Sequence, residues 1–196
     1  GNGYTNWSGS SMATPIVGSV MGLLKSYNPG WTNEQIETMV IGTSDPIIYS
    51  VNSENYLQGK LGKGRVDALT ALGVPLFPKI EFADIDLFIE NDDNNILELG
   101  ESIHLLTILS NHPDWGYADD VVGTLNLSEP SDEISITQNI ASFGDASPGE
   151  GLINFEPFII EFGDNAPYGE IEFILNITSN TGFNYNGLDI DYIQNS

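Results

Sequence analysis

Between Met12 and Leu24 the chain carries apolar or small residues on nearly every face: Ala13, Ile16, Val17, Gly18, Val20, Met21, Gly22, Leu23 and Leu24. A run of this kind predicts a helix buried all round rather than one lying on a surface with a single apolar stripe. Such a helix needs a larger body around it. Gly18 and Gly22 fall on one face and allow a close backbone approach, at a cost in helix propensity. Pro15 is compatible with the helix if it falls in the first turn, where its missing N–H is not needed.

The residues around this helix extend the constraint. Tyr27-Asn28-Pro29-Gly30 reads as a turn. Thr32 followed by Gln35 fits a capping box, with Glu34 in the first turn, so a second helix is predicted from about Asn33 to Ile41, with Ile36, Met39 and Val40 as its apolar stripe. The Ser/Asn-rich stretch from Thr43 to Gly62 reads mostly as loop, with a short strand at Ile47 to Val51. A third helix is expected to open at Gly64-Arg65-Val66-Asp67-Ala68 and end near Gly73, with Val66, Leu69 and Leu72 on one apolar side. Alone, about 75 residues of this kind bury little surface for their entropy cost.

Beyond Val74-Pro75-Leu76-Phe77-Pro78 the pattern changes to period two. Alternating or β-branched runs occupy Ile80 to Ile89, Ser102 to Leu109, Val121 to Leu127, Ile134 to Thr137, Phe155 to Phe162, Glu170 to Thr178 and Leu188 to Ile193, separated by Asn, Gly, Pro and Asp clusters. Seven or eight strands in about 115 residues predict an antiparallel, immunoglobulin-like β-sandwich. The spacing of Phe155, Phe158 and Phe162 predicts core positions. The domain boundaries drawn from these patterns are 1–75 and 79–196.

Charge divides the chain at nearly the same place. Residues 1–79 hold all 5 Lys and Arg and 5 of the 28 acidic residues, and residues 80–196 hold the other 23 acids with no Lys or Arg. A field of that sign repels nucleic acid and anionic lipid, so nucleic acid is excluded as a partner. No run approaches the roughly 18 apolar residues of a membrane span in this portion. The sequence has no cysteine, which rules out a disulfide, a thiol nucleophile and a thiolate metal site.

Three motifs in order carry a resemblance. Gly9-Ser10-Ser11-Met12-Ala13-Thr14-Pro15, then Asn28 to Thr32, then Gly62 to Ala68 resemble the closing segments of subtilisin-like serine peptidases (subtilases). The resemblance covers residues 1 to about 75 and implies the carboxy-terminal helical part of a subtilisin-like α/β catalytic domain, with Ser11 as the nucleophile. A serine hydroxyl needs a histidine base, an orienting acid and oxyanion donors. In that family the chain order is Asp, His, Ser. The resemblance therefore implies that the base, the acid and the oxyanion asparagine precede residue 1, in the same or an associated chain, and that this chain alone is inactive. Ser11 without that context reads as a cap on an apolar helix. Its N–H, at a helix start, is the expected local contribution to the oxyanion hole. His104, within a predicted strand, and His112, within a turn, read as structural.

Residues 79–196 are similar, more loosely, to Ig-like modules appended to secreted bacterial peptidases, on the strength of Asn91 to Asn95, Gly100-Glu101, Ser142 to Gly144 and Pro157-Phe158. The resemblance implies a secreted or cell-surface serine endopeptidase acting on polypeptide substrates through an acyl-enzyme. The alternative is a non-catalytic module binding protein or glycan beside a degenerate peptidase remnant. Asp92, Asp93, Asn94, Asn95, Glu98 and Glu101 form the densest oxygen-ligand cluster, suited to calcium. Its spacing departs from an EF-hand loop, and an ordinary solvated acidic turn explains the same residues.

Overall fold

The computed structural model describes residues 8–90, 97–166, 169–181 and 184–194, with the backbone alone at residues 170 and 184–194. The chain divides into two compact units, Gly1–Leu76 and Phe77–Ser196.

The first unit is helical: α1 (Ser10–Tyr27), α2 (Asn33–Gly42), α3 (Ile47–Val51), a single 3-10 turn at Asn55–Leu57, and α4 (Ala68–Gly73). The expected capping box at α2 is present. The Thr32 hydroxyl accepts the Gln35 N–H at 3.2 Å, and the Gln35 side chain accepts the Thr32 N–H at 2.7 Å. Ile36, Met39 and Val40 are buried, with Gln35 beside them. Lys25 closes the turn after α1 by donating from Nζ to the carbonyls of Pro29 (3.0 Å) and Trp31 (2.5 Å).

Several local expectations are corrected here. Ile47 to Val51 is a helical turn rather than a strand, because Asp45 Oδ1 accepts the Ile47 N–H and starts the turn. The backbone ladder falls just before it, where Asp45 and Arg65 exchange both bonds at 2.7 and 2.9 Å. The third helix starts at Ala68, not Gly64, because Asp67 caps it by accepting the N–H groups of Leu69 and Thr70. Gly64 has φ 146° and faces the Asp45 carbonyl so closely that a Cβ has no room. On α4 the buried residue is Ala71, whereas Leu69 stands out in solvent. Pro15 is the sixth residue of α1 and so lies beyond its first turn.

The second unit is built from antiparallel pairs throughout its described residues. Its strands are β1 (Ile80–Ile89), β2 (Ser102–Asn111), β3 (Ala118–Leu127), β4 (Ile134–Gln138), β5 (Ile140–Ala146), β6 (Gly151–Ile153), β7 (Phe158–Phe162), β8 (Glu170–Thr178) and β9 (Asn184–Gln194). One sheet has the order β1-β2-β7-β4, with β6 also pairing β2, and the other has the order β5-β3-β8-β9. Both contribute to one apolar cluster: Ile103, Leu105 and Leu109 of β2, Phe158, Ile160 and Phe162 of β7, Val121 and Leu125 of β3, and Phe173, Leu175 and Ile177 of β8. Each fully buried side chain of this size contributes about 1.5–3 kcal/mol before the entropy of ordering is subtracted. Alternation is cleanest on β2, where every second residue from Ile103 to Asn111 is buried.

Strand β6 is absent from the sequence reading, and β5 enters it only through Ser142 to Gly144, the short strand ending in Phe-Gly of the looser resemblance. The β5 run is short, broken by Gly144 and Asp145, and β6 has three residues, too few for a period to register. Phe155 is exposed rather than in the core, because the strand starts only at Phe158.

Candidate active site

Gly9, with φ 148°, precedes α1 and provides no side-chain cap. A glycine takes this conformation without the steric cost that an L side chain would meet. Ser11 is then the second residue of the helix and is exposed. Its N–H is among the first-turn donors that a helix leaves without an intrahelical acceptor, where the partial positive charge of the aligned peptides concentrates.

Two hydroxyls and a proline shape the backbone just behind it. Thr14 Oγ1 donates to the Ser10 carbonyl at 2.8 Å, and Ser19 Oγ donates to the Pro15 carbonyl at 2.7 Å. Pro15 has no N–H, so the Ser11 carbonyl loses its usual donor four residues on. The helix nonetheless continues to Tyr27.

The apolar faces of α1 are largely uncovered. Leu24 is its one fully buried residue, while Met12 is 42% exposed, Ile16 59% and Leu23 48%. Ala13, Val17, Gly18 and Met21 line a shallow apolar surface that begins at Ser10. A Cβ at Gly18 or Gly22 would meet nothing within 4 Å. The all-round burial expected of this helix is therefore not supplied by the described residues.

The two histidines are engaged within the second unit. His104 Nε2 stands 3.4 Å from Glu90 Oε2, and its ring lies 4.8 Å from that of Phe88. His112 Nδ1 accepts the Asp114 N–H at 3.2 Å, and the backbone N–H of His112 donates to the Lys79 carbonyl at 2.9 Å.

Of the expected calcium ligands, Asp92, Asp93, Asn94 and Asn95 lie outside the described residues. Glu101 Oε2 accepts the Glu98 N–H at 2.7 Å, which commits one of its oxygens to its own turn. Among the described residues no three His, Asp or Glu side chains are grouped to hold a metal, and no helix is long and apolar enough to cross a membrane.

Three side chains have electrostatic roles to which the sequence gives no pointer. The Asp67 carboxyl is held below its ordinary value, first by the backbone N–H of Thr70 and then by the Thr70 hydroxyl. Tyr117 is pushed up to about 12, chiefly by its hydrogen bond to Asp145. The Asp145 carboxyl is held low by the Asp120 N–H and by Tyr117.

Residues 1–71 match the model of the Subtilase family (Peptidase S8). Alkaline elastase YaB of Bacillus sp. (strain YaB) is 48% identical over 44 residues, 22% of this chain and 12% of that protein. Subtilisin-like protease SBT3.3 of Arabidopsis thaliana is 24% identical over 150 residues, 72% of this chain and 19% of that protein, so the alignment runs past the first unit into the second. Subtilisin-like protease SBT4.6 of the same plant is 33% identical over 70 residues, 35% of this chain and 10% of that protein. The chain thus spans no more than about a fifth of the length of these relatives. Among solved structures, a conjugative transposon lipoprotein from Bacteroides eggerthii aligns over 58% of this chain and 93% of that chain, with a TM-score of 0.30 and 16% identity, too low to indicate a shared fold. It is residues 1–71, the part of the chain that carries Ser11, that are similar to the subtilases.

Proposed function

We propose that this chain is the carboxy-terminal part of a secreted serine endopeptidase, with Ser11 as the nucleophile that attacks the scissile carbonyl of a polypeptide. The observation that carries this reading is the subtilase match over residues 1–71. It is supported by the position of Ser11, exposed at the start of a helix whose apolar faces stand open. In this reading those faces pack against the rest of the catalytic domain, which also supplies the histidine base, its orienting acid and the oxyanion asparagine.

The chemistry asked of residues 8–27 is then specific. The hydroxyl of Ser11 passes its proton to the base as its oxygen bonds to the carbonyl carbon, and the Ser11 N–H, at the positive end of α1, faces the oxyanion that forms. A hydroxyl without its base keeps little of this advantage, so residues 1–196 alone are inactive in the proposal.

The second unit is proposed as an immunoglobulin-like accessory module. Its sheet order β1-β2-β7-β4 corresponds to the ABED sheet of that architecture, and β3-β8-β9 to its CFG sheet, with β5 added at the edge. One feature departs from the usual variable-type order: the strand joining the first sheet, β4, comes before the strand added to the second, β5. Calcium bound by Asp92, Asp93, Asn94, Asn95, Glu98 and Glu101 belongs to the same proposal, and a chelator that leaves the melting of the second unit unchanged removes it.

The test of the catalytic reading compares peptide hydrolysis by the whole protein, by its Ser11→Ala variant and by residues 1–196 alone. Hydrolysis by the whole protein should fall on the order of 10⁴-fold or more in the variant and be absent from the isolated chain. Activity that survives Ser11→Ala contradicts the proposal.

A further inference from the structure

At the end of the second unit where β3 stops and β4 and β8 begin, the two sheets part to leave a groove of about 380 Å³. Its floor is aliphatic and draws on both sheets: Leu127 from β3, Ile171 from β8 and Ile134 from β4. Leu127 and Ile171 are only partly buried against the core, so apolar surface is left facing the opening. Two carboxylate residues, Glu129 and Glu172, stand at the rim, and both are exposed.

Beside the groove runs β4. It is the last strand of its sheet and pairs only with β7 among the described residues. The backbone groups on its other side are therefore open to a further strand, and an unpaired edge of this kind recruits extended polypeptide. An aliphatic floor, an acidic rim and a free strand edge at one place select one kind of occupant.

We propose that this groove binds a basic polypeptide segment in extended form, laid along β4, with one aliphatic side chain on Leu127, Ile134 and Ile171 and a flanking Lys or Arg at Glu129 and Glu172. Charge decides the class of ligand. Residues 80–196 contain 23 acids and no Lys or Arg, so an anionic peptide or a phosphate-bearing ligand is repelled from the whole unit, and a cationic one is drawn to it. General attraction does not choose a site; the aliphatic floor does. The proposal is independent of the chemistry at Ser11.

The test is a nuclear magnetic resonance titration of the Ser11→Ala chain, in which no hydrolysis can intrude, with a short lysine-flanked peptide carrying a central Leu-Val pair. Backbone signals of Leu127 to Ser131 and Ile134 to Ile136 should shift in a saturable way. Affinity should weaken roughly five- to tenfold in a Glu129→Gln, Glu172→Gln double variant, whose substitutions lie at exposed positions and leave the core intact. Replacing the peptide's Leu with Asn should weaken it by a similar factor. Shifts spread over the acidic surface and indifferent to both changes would mean diffuse charge attraction and overturn the proposal. So would an absence of shifts, or equal binding of a glutamate-flanked peptide.

Discussion

Asn154 Oδ1 accepts the backbone N–H of Thr107 at 2.6 Å, inside the second unit and away from water. Along β2 the partner changes: Ser102 to Leu105 pair with β7, and Ile108 to Ser110 pair with β6. Thr107 sits in the gap between them, and the Asn154 side chain completes the ladder there. Its Nδ2 donates to the carbonyls of Glu156 at 2.8 Å and Leu105 at 3.3 Å.

Asn154→Ala should therefore leave buried backbone groups without partners and lower the unfolding free energy by about 3 kcal/mol. Asn154→Asp should recover little, because it keeps the acceptor but loses both donors. Urea unfolding of both variants checks this, and a loss under about 0.5 kcal/mol for the alanine variant contradicts it.

Gly123 faces the core from the middle of β3. A Cβ there would stand 2.8 Å from a Phe143 ring carbon, 3.2 Å from Leu175 Cδ1 and 3.3 Å from Phe158 Cζ. Gly123→Ala should destabilise by about 1–3 kcal/mol through overpacking, despite the better strand propensity of alanine. Shortening the opposing ring with Phe143→Leu in the same chain should return part of the loss, which a double-mutant cycle measures.

The Tyr117 and Asp145 pair sets a pH dependence at both ends of the scale. Tyr117 titrates at about 12 in the fold against an ordinary 10, so its contribution to stability is full below pH 10 and is lost as pH rises through 12. Asp145, held below its ordinary 3.8, contributes above that value and loses its contribution as pH falls through its lowered folded value. Phenolate absorbance should show Tyr117 ionising late, and Asp145→Asn should move it back toward 10. Titration of Tyr117 near 10 in the unaltered chain would contradict the bond.

The capping box at α2 gives a local test in the first unit. Thr32→Ala should cost about 1 kcal/mol, seen as faster hydrogen exchange at the amides of α2, whereas Thr32→Ser should be nearly silent.

What could be read in the sequence followed the strength of the local signal. Thr32 with Gln35 names a capping box because both halves lie three residues apart, and β2 is legible because apolar and half-exposed residues alternate over ten positions. The Ile47 to Val51 turn reads as a strand because Ile47, Ile48 and Val51 favour strands, while the deciding Asp45 bond to the Ile47 N–H carries no periodic signature. Asn154 gave no signal at all, since its partners lie 47 and 49 residues away in the chain. At Ser11 the motif supplies a position near a helix start, and α1 begins at Ser10. The uncovered faces of α1 show the limit of a local reading: an all-round apolar run says that a helix is to be covered, not what covers it.

The central claim rests on the reactivity of one hydroxyl. Treating the whole protein with a serine-directed phosphonate and mapping the adduct by mass spectrometry tests it most directly. The account predicts a single adduct on Ser11, lost in Ser11→Ala and after denaturation. An intact protein that cleaves peptides yet carries the adduct on another serine, or on none, would contradict it.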